Sequence, residues 1–331
     1  MNANRRYVLI SPCRDEAKYM RRTLDSVAAQ TLPPALWVVI DDGSTDATPA
    51  ILEEYARKLP YLRVVRRSNR GRRSVGPGVI EAFYAGLAEV DLDGFDYLCK
   101  LDLDLVLPPR YFEGLIARME ADPRLGTTSG KPYFHARDGS LVPETIGDEM
   151  SVGASKFYRT SCFREIGGFV RQVMWDGIDC HRCRLLGWIA ESVDDEELRF
   201  LHLRPMGSSQ KGLWAGRVRT GFGQYFMGTA PLFLLASALY RLLKPPVFYG
   251  SAAMLWGYFS SAARGRMRYD DLPFRRFLRR YQRQCLLLGK REATRRTNET
   301  QAPVCGWTNQ GLPEVVPMRG SPSIRCISSS K

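Results

Sequence analysis

The sequence predicts an α/β protein built on a mostly parallel sheet with helices on both faces. The first observation is that short apolar, β-branched runs alternate with helix-like segments in the N-terminal part of the chain. The second is that acidic motifs lie at the ends of two of these runs, at 41–46 and 102–104. Alternating strands and helices are typical of parallel sheets, which bind ligands beyond the carboxyl ends of their strands.

Each element follows from its local pattern. The strands are short runs such as YVLIS and LWVVI, whose apolar residues suit a sheet that is buried on both faces. Thr45 or Asp46 can cap the helix that follows the second strand. The predicted strands are 7–11, 36–40, 62–66 and 96–104, and the predicted helices between them cover about 16–29, 47–59 and 78–90.

Composition divides the chain into three parts. Residues 5–205 form the predicted α/β domain, in which 124–204 is irregular and rich in Gly and Trp. Residues 206–293 are predicted to be helical and contain two apolar stretches. Residues 294–331 are rich in Pro, Ser, Thr and Gly without periodicity, and we expect them to be a disordered tail.

The net charge of +13 is concentrated in the C-terminal part. Between residues 201 and 296 there are eighteen Lys or Arg residues and three acids. A basic segment of this kind can face nucleic acid, an anionic membrane or an anionic substrate. Because apolar helices lie between the charges, rather than aromatic residues alternating along a sheet, we expect a membrane surface and no nucleic acid.

The cysteines and the chain start indicate a reducing compartment. The eight cysteines are scattered and mostly apolar in context, as in cytosolic proteins with free thiols. Cys180 and Cys183 have CxxC spacing without a second pair, so we expect buried helix residues rather than a zinc or redox site. No signal-peptide pattern precedes the first strand.

Two aspartates in an otherwise apolar run are the first candidate site. Asp102 and Asp104 are separated by one leucine, so on a strand both side chains would point to the same face. Carboxylates at this spacing suit Mg²⁺ or Mn²⁺, which in turn binds a diphosphate. The alternative is a pair of strand-end acids that cap local amides.

A second acidic motif, DDGSTD, follows the second strand. Asp41 and Asp42 could accept hydrogen bonds from the base or ribose of a nucleoside, or they could form an ordinary Asx turn. Pro12, Arg14 and Glu16 follow the first strand and would face the same crevice. Between 67 and 78 a glycine-rich loop carries several arginines, including Arg73, and is predicted either to approach donor phosphates or to remain solvated.

These motifs, in this order, resemble the family 2 glycosyltransferases, which are inverting enzymes with the GT-A fold. The resemblance covers about 7–205 and is carried by SPCRDEA, VVIDDGSTDAT, SNRG, LDLD, FREIGGF and WDGIDCHRCRLLGW. It implies a UDP- or GDP-sugar donor and a divalent metal. The residues that it assigns to the nucleoside are Pro12, Glu16, Asp41 or Asp42, and Asp102, while Asp104 is assigned to the metal.

The resemblance also implies a general base in an acidic motif before a Gly-Trp pair. Counting back from Trp188 places Asp176 on that base, with Trp175 where the family usually has Glu. Asp179 is the rival, and either acid could instead be a first-turn helix residue. His202 ends a strand-like run and could join the metal, or it could be structural.

The C-terminal apolar stretches favour membrane attachment. Residues 226–243 and 247–263 are near or below the length of about 20 residues that spans a bilayer, and a Pro-Pro break separates them. FRRFLRRYQRQ at 274–284 reads as a basic amphipathic helix, either at a membrane or packed on the protein. We predict the cytoplasmic face of the inner membrane and a lipid-linked or saccharide acceptor.

Two other functions compete with glycosyl transfer. A nucleotidyltransferase also uses paired acids and Mg²⁺, but it needs a basic signature loop near the chain start that SPCRDEA does not provide. A non-catalytic scaffold derived from a transferase is favoured by Trp175 and disfavoured by the intact acidic motifs.

Overall fold

The computed structural model describes residues 5–69, 71, 76–136, 138–144, 146–204, 212–242 and 248–301. Its strands are β1 (Tyr7–Cys13), β2 (Leu36–Asp41), β3 (Leu62–Arg66), β4 (Tyr97–Leu101), β5 (Leu105–Val106), β6 (Leu125–Gly130), β7 (Pro132–His135), β8 (Leu141–Pro143), β9 (Ser155–Arg159), β10 (Ile189–Val193) and β11 (Phe200–His202). Its helices are α1 (Met20–Ala28), α2 (Thr48–Lys58), α3 (Pro77–Leu87), α4 (Tyr111–Ala121), α5 (Thr160–Glu165), α6 (Trp175–Leu185), α7 (Leu213–Met227), α8 (Pro231–Arg241), α9 (Tyr249–Ala263), α10 (Leu272–Leu288) and α11 (Lys290–Gln301).

The central sheet has seven strands in the order β10-β6-β9-β4-β1-β2-β3. β1 pairs in parallel with both β2 and β4, whereas β9 runs antiparallel between β4 and β6. The predicted α/β fold, with a mostly parallel sheet flanked by helices, is confirmed. The four predicted strands and the helices between them are all present.

Alternating side chains of the central strands enter two hydrophobic layers. On β1, Leu9 packs into one layer, while Val8 and Ile10 pack into the other. Trp37 and Ile40 of β2 divide between the same two layers. A strand that is buried on both faces needs apolar residues at every position, which explains the near-continuous runs in the sequence.

A second, smaller sheet has four strands in the order β5-β11-β7-β8. β11 pairs antiparallel with β5, so that His202 lies opposite Leu105 in the register. This pairing returns the chain from 200–202 to the segment that follows β4. The irregular middle of the sequence therefore completes the edge of the sheet where the acidic motifs lie.

The predicted membrane helix at 274–284 is packed on the protein instead. Phe274 and Leu278 of α10 are buried in a cluster with Ile178 of α6 and Phe226 of α7. The alternative of a protein-packed helix is therefore the observed one for the apolar side of α10, and contact of its basic side with a membrane stays a prediction. The amphipathic pattern predicts that one face of the helix is buried, but it does not identify what covers that face.

The predicted tail also begins with a helix. α11 continues to Gln301, inside the segment expected to be disordered. Ala293 and Thr297 are buried, and Glu292 forms ion pairs with Arg295 and Arg296 one turn away. Pairs at this spacing and contact with a neighbouring helix compensate for the weak helix propensity of Thr and Asn. Residues 302–331 lie outside the described part of the chain.

The two apolar stretches form the short helices α8 and α9. Within the described ranges, no helix combines the length and the apolarity needed to cross a bilayer.

Candidate active site

The carboxyl ends of β1, β2 and β4 form the floor of the candidate site. The register pairs Cys13 with Asp41 across β1 and β2, and Ile10 with Lys100 across β1 and β4. Because these strands are parallel neighbours, the segments that follow them meet at one edge of the sheet. The structure thus brings SPCRDEA, DDGSTD and LDLD together, as the sequence predicted.

The DDGSTD segment forms a turn and also contacts two arginines. Asp41 is buried and accepts the backbone N–H of Ser44 at 2.9 Å, which is an Asx turn. Asp42 forms an ion pair with Arg67 at 2.9 Å, and Arg14 donates to the backbone carbonyl of Asp42. The turn interpretation is therefore correct for the Asp41 side chain.

The segment after β1 is tied to the DDGSTD turn. Pro12 belongs to β1, opposite Ile40 of β2. Asp15 has a φ of 52° and accepts the backbone N–H of Thr45 at 2.8 Å. Asn and Asp are the residues that tolerate this left-handed conformation best after Gly. Asp15 is therefore suited to the backbone geometry that this position requires.

Asp104 lies in a buried cluster with cationic partners. Nε of Arg204 donates to Oδ2 of Asp104 at 2.5 Å, and a second nitrogen of Arg204 donates to Glu16 at 2.7 Å. Nε2 of His202 lies 3.5 Å from Oδ2 of Asp104, and its Nδ1 lies 3.2 Å from Glu144. Arg204, which follows β11, thus holds both Glu16, which precedes β4, and Asp104, which follows β4.

Burial and these contacts act in opposite directions on the pKa values. Burial alone would raise the pKa of Asp104, but the hydrogen bond from His202 and the charge of Arg204 lower it. Burial alone would lower the pKa of His202, but Asp104 and Glu144 raise it to about 9. The cluster thus stabilises an ionised carboxylate beside a protonated imidazole.

The same cluster offers donors that fit a divalent cation. Oδ1 of Asp104 is buried without a hydrogen-bond partner, which leaves an oxygen for a ligand. His202 supplies an imidazole nitrogen on the same carboxylate. Mg²⁺ commonly takes one or two protein ligands and completes its shell with phosphate and water. Among the described residues, no group of three or more His, Cys, Asp or Glu side chains forms a complete protein cage.

Asp102 and Asp104 are not displayed on one strand face. β4 ends at Leu101, so the acidic motif lies in the bend beyond it and the two-residue period of a strand no longer applies. Asp102 pairs with Lys100 at 2.5 Å, whereas Asp104 pairs with Arg204. Each carboxylate therefore has its own cation.

Two buried lysines lie beneath the site, opposite each other on β4 and β9. Lys100 and Lys156 are register partners and are 2% and 0% exposed. Nζ of Lys156 contacts both carboxylate oxygens of Asp179 at 2.6 Å. The ring of Trp175 receives both ammonium groups, at 5.2 Å from Lys100 and 5.8 Å from Lys156. These cation–π contacts hold the first turn of α6 against the sheet.

The two candidate bases differ in accessibility. Asp179 is 1% exposed, with Lys156 and Tyr158 both hydrogen-bonded to it. Burial would lower the pKa of Lys156, but the Asp179 carboxylate raises it well above its ordinary value. A carboxylate bound in this way to a buried ammonium is a structural ion pair, with little access for a substrate.

Asp176 is half-buried, and its carboxylate has no hydrogen bond or ion pair to any described residue. It lies against Gly153, where an added Cβ would come within 3.1 Å of Oδ2. The carbonyl of Gly153 accepts a hydrogen bond from Lys100, which also binds Asp102. Asp176 is therefore on the same edge as the acidic motifs.

Sequence reasoning missed three groups at this edge, namely Lys100, Lys156 and Glu144. Lys100 is visible as an isolated charge before the acidic motif, and this was the available signal. Lys156 and Glu144 come from the irregular middle, where no pattern fixed their positions. Arg73 lies outside the described residues, and so do its neighbours in the predicted basic loop.

Part of the chain is similar in sequence to known glycosyltransferases. Residues 8–163 match the sequence model of glycosyl transferase family 2. A poly-beta-1,6-N-acetyl-D-glucosamine synthase of Staphylococcus epidermidis is 27% identical over 233 residues, which cover 64% of this chain and 52% of that protein. The chain thus spans about half the length of the curated relatives that it matches.

Two solved structures share the fold. Mannosyltransferase PcManGT from Pyrobaculum calidifontis, in complex with GDP-Man and Mn²⁺, has a TM-score of 0.51 at 20% identity, covering 92% of this chain and 87% of its own. TarS 1–349 of S. aureus, in complex with UDP-GlcNAc, has a TM-score of 0.50 at 16% identity, covering 90% of each chain.

Proposed function

We propose that the chain is an inverting, metal-dependent glycosyltransferase, because residues 8–163 match the sequence model of glycosyl transferase family 2. It moves a sugar from a nucleotide-diphosphate sugar to a hydroxyl group of a saccharide or lipid-linked acceptor. The observation that carries this proposal is the single sheet edge that holds the acidic motifs together with the half-buried carboxylate of Asp176.

The donor would bind along the ends of β1, β2 and β4. Asp42 and Asp102 are the candidates for the ribose or base, beside Pro12 and Glu16. UDP- and GDP-sugars are both compatible, since structural neighbours of this chain hold UDP-GlcNAc and GDP-Man. Arg14 lies across the same edge, bonded to Asn69 at 2.8 Å, and can position a phosphate.

Asp104 and His202 would hold Mg²⁺ or Mn²⁺. The ion would shield the diphosphate and stabilise the charge that develops on the leaving nucleotide. To hold the ion, His202 would have to be neutral, and Asp104 would have to bind the ion while keeping its contact with Arg204. Arg204 already bonds both Asp104 and Glu16, so it can stay in place beside the phosphates as a second cation.

Asp176 would act as the general base. No cation among the described residues forms an ion pair with its carboxylate, so it can accept the proton of the acceptor hydroxyl as that oxygen attacks the anomeric carbon. Lys156 and Trp175 position the turn that carries it, by a hydrogen bond to the Asp176 carbonyl at 2.9 Å and by ring contacts. The charge of Asp179 is already taken by Lys156.

The proposed location is the cytoplasmic face of the inner membrane, which would bring the site close to a lipid-carried acceptor. The basic C-terminal part supports this, because an anionic leaflet attracts Lys and Arg.

The test measures binding and transfer separately. Titration calorimetry with UDP and GDP, with and without Mn²⁺, should give metal-dependent binding that is lost in Asp104→Ala. Asp176→Asn should keep this binding and lower kcat for transfer from a labelled donor by about 10²–10⁴. Asp270→Asn, a change at an exposed acid, is the matched control and should leave both unchanged.

Three results would contradict the proposal. Metal-independent binding would remove the ion from the mechanism. Unchanged transfer in Asp176→Asn would remove the assigned base. Donor binding by the wild-type protein without transfer to any saccharide or lipid acceptor would favour the non-catalytic scaffold.

A further inference from the structure

The helix α9 presents an apolar stripe that the described protein does not cover. Exposed residues of α9 include Tyr249, Ala252, Trp256, Phe259 and Ala263, which recur at alternating spacings of three and four residues. Tyr249, Trp256 and Phe259 are 50%, 60% and 45% exposed. This spacing places them on one face of the helix. α9 contains no charged residue, so its outer face has no polar rim of its own.

The neighbouring helix α8 repeats the pattern. Leu232 and Leu239 are each 69% exposed, and Leu235 lies on the same face at 41%. The opposite side of α8 is buried, where Leu234 and Ala238 form a cluster with Met254 of α9. α8 thus packs on α9 through one face and leaves leucines outward on the other. Soluble proteins rarely expose large apolar side chains in contiguous groups.

The stripe rests on a rigid support. Gly221 of α7 and Gly257 of α9 lie at a close helix crossing, where an added Cβ would come within 2.0 Å of Met254 O and 2.1 Å of Val218 O respectively. The stripe continues onto α7, because the rings of Trp214 and Tyr249 are 4.9 Å apart. The exposed aromatic residues are therefore carried by packed helices and not by a loose loop.

The charges near this face indicate the chemistry of the surface that it would bind. The sequence has no Asp or Glu from Leu198 to Tyr269, and three arginines, Arg264, Arg266 and Arg268, follow the end of α9. Two of them lie over aromatic rings of α7, with Arg268 at 4.4 Å from the Tyr225 centroid and Arg266 at 5.3 Å from that of Phe222. An apolar face on a segment that carries arginines and no acidic residue fits an anionic surface. A second copy of the same face would bring like charges together.

We propose that the face formed by α8 and α9 lies in the interface of an anionic lipid bilayer. The exposed leucine and aromatic side chains enter the boundary between headgroups and acyl chains, while Arg264, Arg266 and Arg268 contact lipid phosphates. α10, whose apolar face is buried, contributes only its basic outer surface. This inference does not depend on the sugar-transfer reaction.

Flotation with vesicles tests the proposal. The full-length protein should float with vesicles of phosphatidylcholine and phosphatidylglycerol, and weakly or not at all with phosphatidylcholine alone. The double variant Trp256→Ser, Phe259→Ser should lower the partition constant by about a hundredfold, since each aromatic side chain loses its transfer from water. The matched control Leu141→Ser removes a side chain that is 58% exposed on β8 and should not change binding.

The arginines are tested by a triple change to glutamine at 264, 266 and 268. We expect about a fivefold loss of affinity for anionic vesicles per charge, and no change for neutral ones. Absence of flotation by the wild-type protein, or equal flotation of the Trp256→Ser, Phe259→Ser variant, would overturn the proposal. So would self-association in sedimentation velocity that this variant abolishes in the absence of lipid.

Nucleotide binding separates this result from the proposed function. The stripe variant should retain its UDP affinity and its thermal unfolding midpoint. Vesicle binding without any donor binding would support the membrane face and contradict only the transferase.

Discussion

The sheet edge and the C-terminal helices treat charge and apolar surface in opposite ways. At the sheet edge, Lys100, Lys156, Asp104 and Asp179 are all buried. Around α9, large apolar side chains are exposed, and the helix itself carries no charged residue. A buried charge persists only where a partner fixes it, so it marks a place whose geometry is constrained. An exposed apolar stripe marks a surface that the described part of the chain leaves uncovered.

The buried pair at the sheet edge gives the largest predicted effect. Lys156→Met leaves Asp179 buried without its cation and should lower the free energy of unfolding by about 3–5 kcal/mol. Urea denaturation measures this. Lys58→Met, which removes an exposed i,i+4 partner of Glu54, is the control and should lower the free energy of unfolding far less.

A second substitution sharpens this prediction. Lys156→Met combined with Asp179→Leu removes both charges and should recover much of the lost stability. Equal stability of Lys156→Met and wild type would mean that the contact is not a constrained ion pair.

The helix crossing gives an intermediate effect. Gly257→Ala places a Cβ at 2.1 Å from the Val218 carbonyl oxygen, so α7 and α9 must separate. We expect a loss of about 1–3 kcal/mol, measured by thermal unfolding. The matched control, Gly216→Ala, should change the free energy of unfolding in the opposite direction. An added Cβ at Gly216 of α7 meets nothing within 4 Å, so Gly216→Ala should stabilise the protein by about 0.5–1 kcal/mol. Similar effects at both glycines would contradict the close crossing.

A buried histidine links stability to pH with the smallest effect. Burial lowers the pKa of His181 well below its ordinary value, and the charge of Arg184 adds to this. Below about pH 6.5 the unfolded chain therefore binds a proton that the folded chain does not. Stability should fall as the pH decreases, by up to about 1.4 kcal/mol per pH unit from this group.

Comparison of variants isolates the contribution of His181. His181→Phe, which keeps a ring against Tyr281, should show a smaller decrease in unfolding midpoint between pH 7 and pH 5.5 than wild type. His135→Phe changes an exposed histidine and should retain the wild-type slope. Identical slopes for wild type and His181→Phe would contradict the assignment.

The sheet and its ligand edge were predictable because their signals are local. Runs such as YVLIS determine their own burial, and parallel pairing then brings their carboxyl ends together. The positions of Asp102 and Asp104 were less predictable, since the strand ends at Leu101 and the bend beyond it has no period. The proposal of Asp176 over Asp179 rests on the position of Lys156, which comes from a distant segment and pairs across the sheet with Lys100.

The helical part shows a different limit of sequence reasoning. The pattern of α10 gave the buried face of Phe274 and Leu278 correctly but could not distinguish protein from lipid as its cover. In α11, ion pairs of Glu292 and packing of Ala293 stabilise a helix that composition alone did not predict. Tertiary contacts decided both outcomes.

The indole at Trp175 has a consequence for the electrical balance of the crevice. Beneath it, two ammonium groups are matched one to one by carboxylates, and the uncharged ring adds nothing to the sum. Among these groups and Asp176, the carboxylate of Asp176 is then the surplus charge. In the proposed mechanism, a proton taken up by Asp176 would make this set of side chains neutral, and loss of that proton would restore its single negative charge.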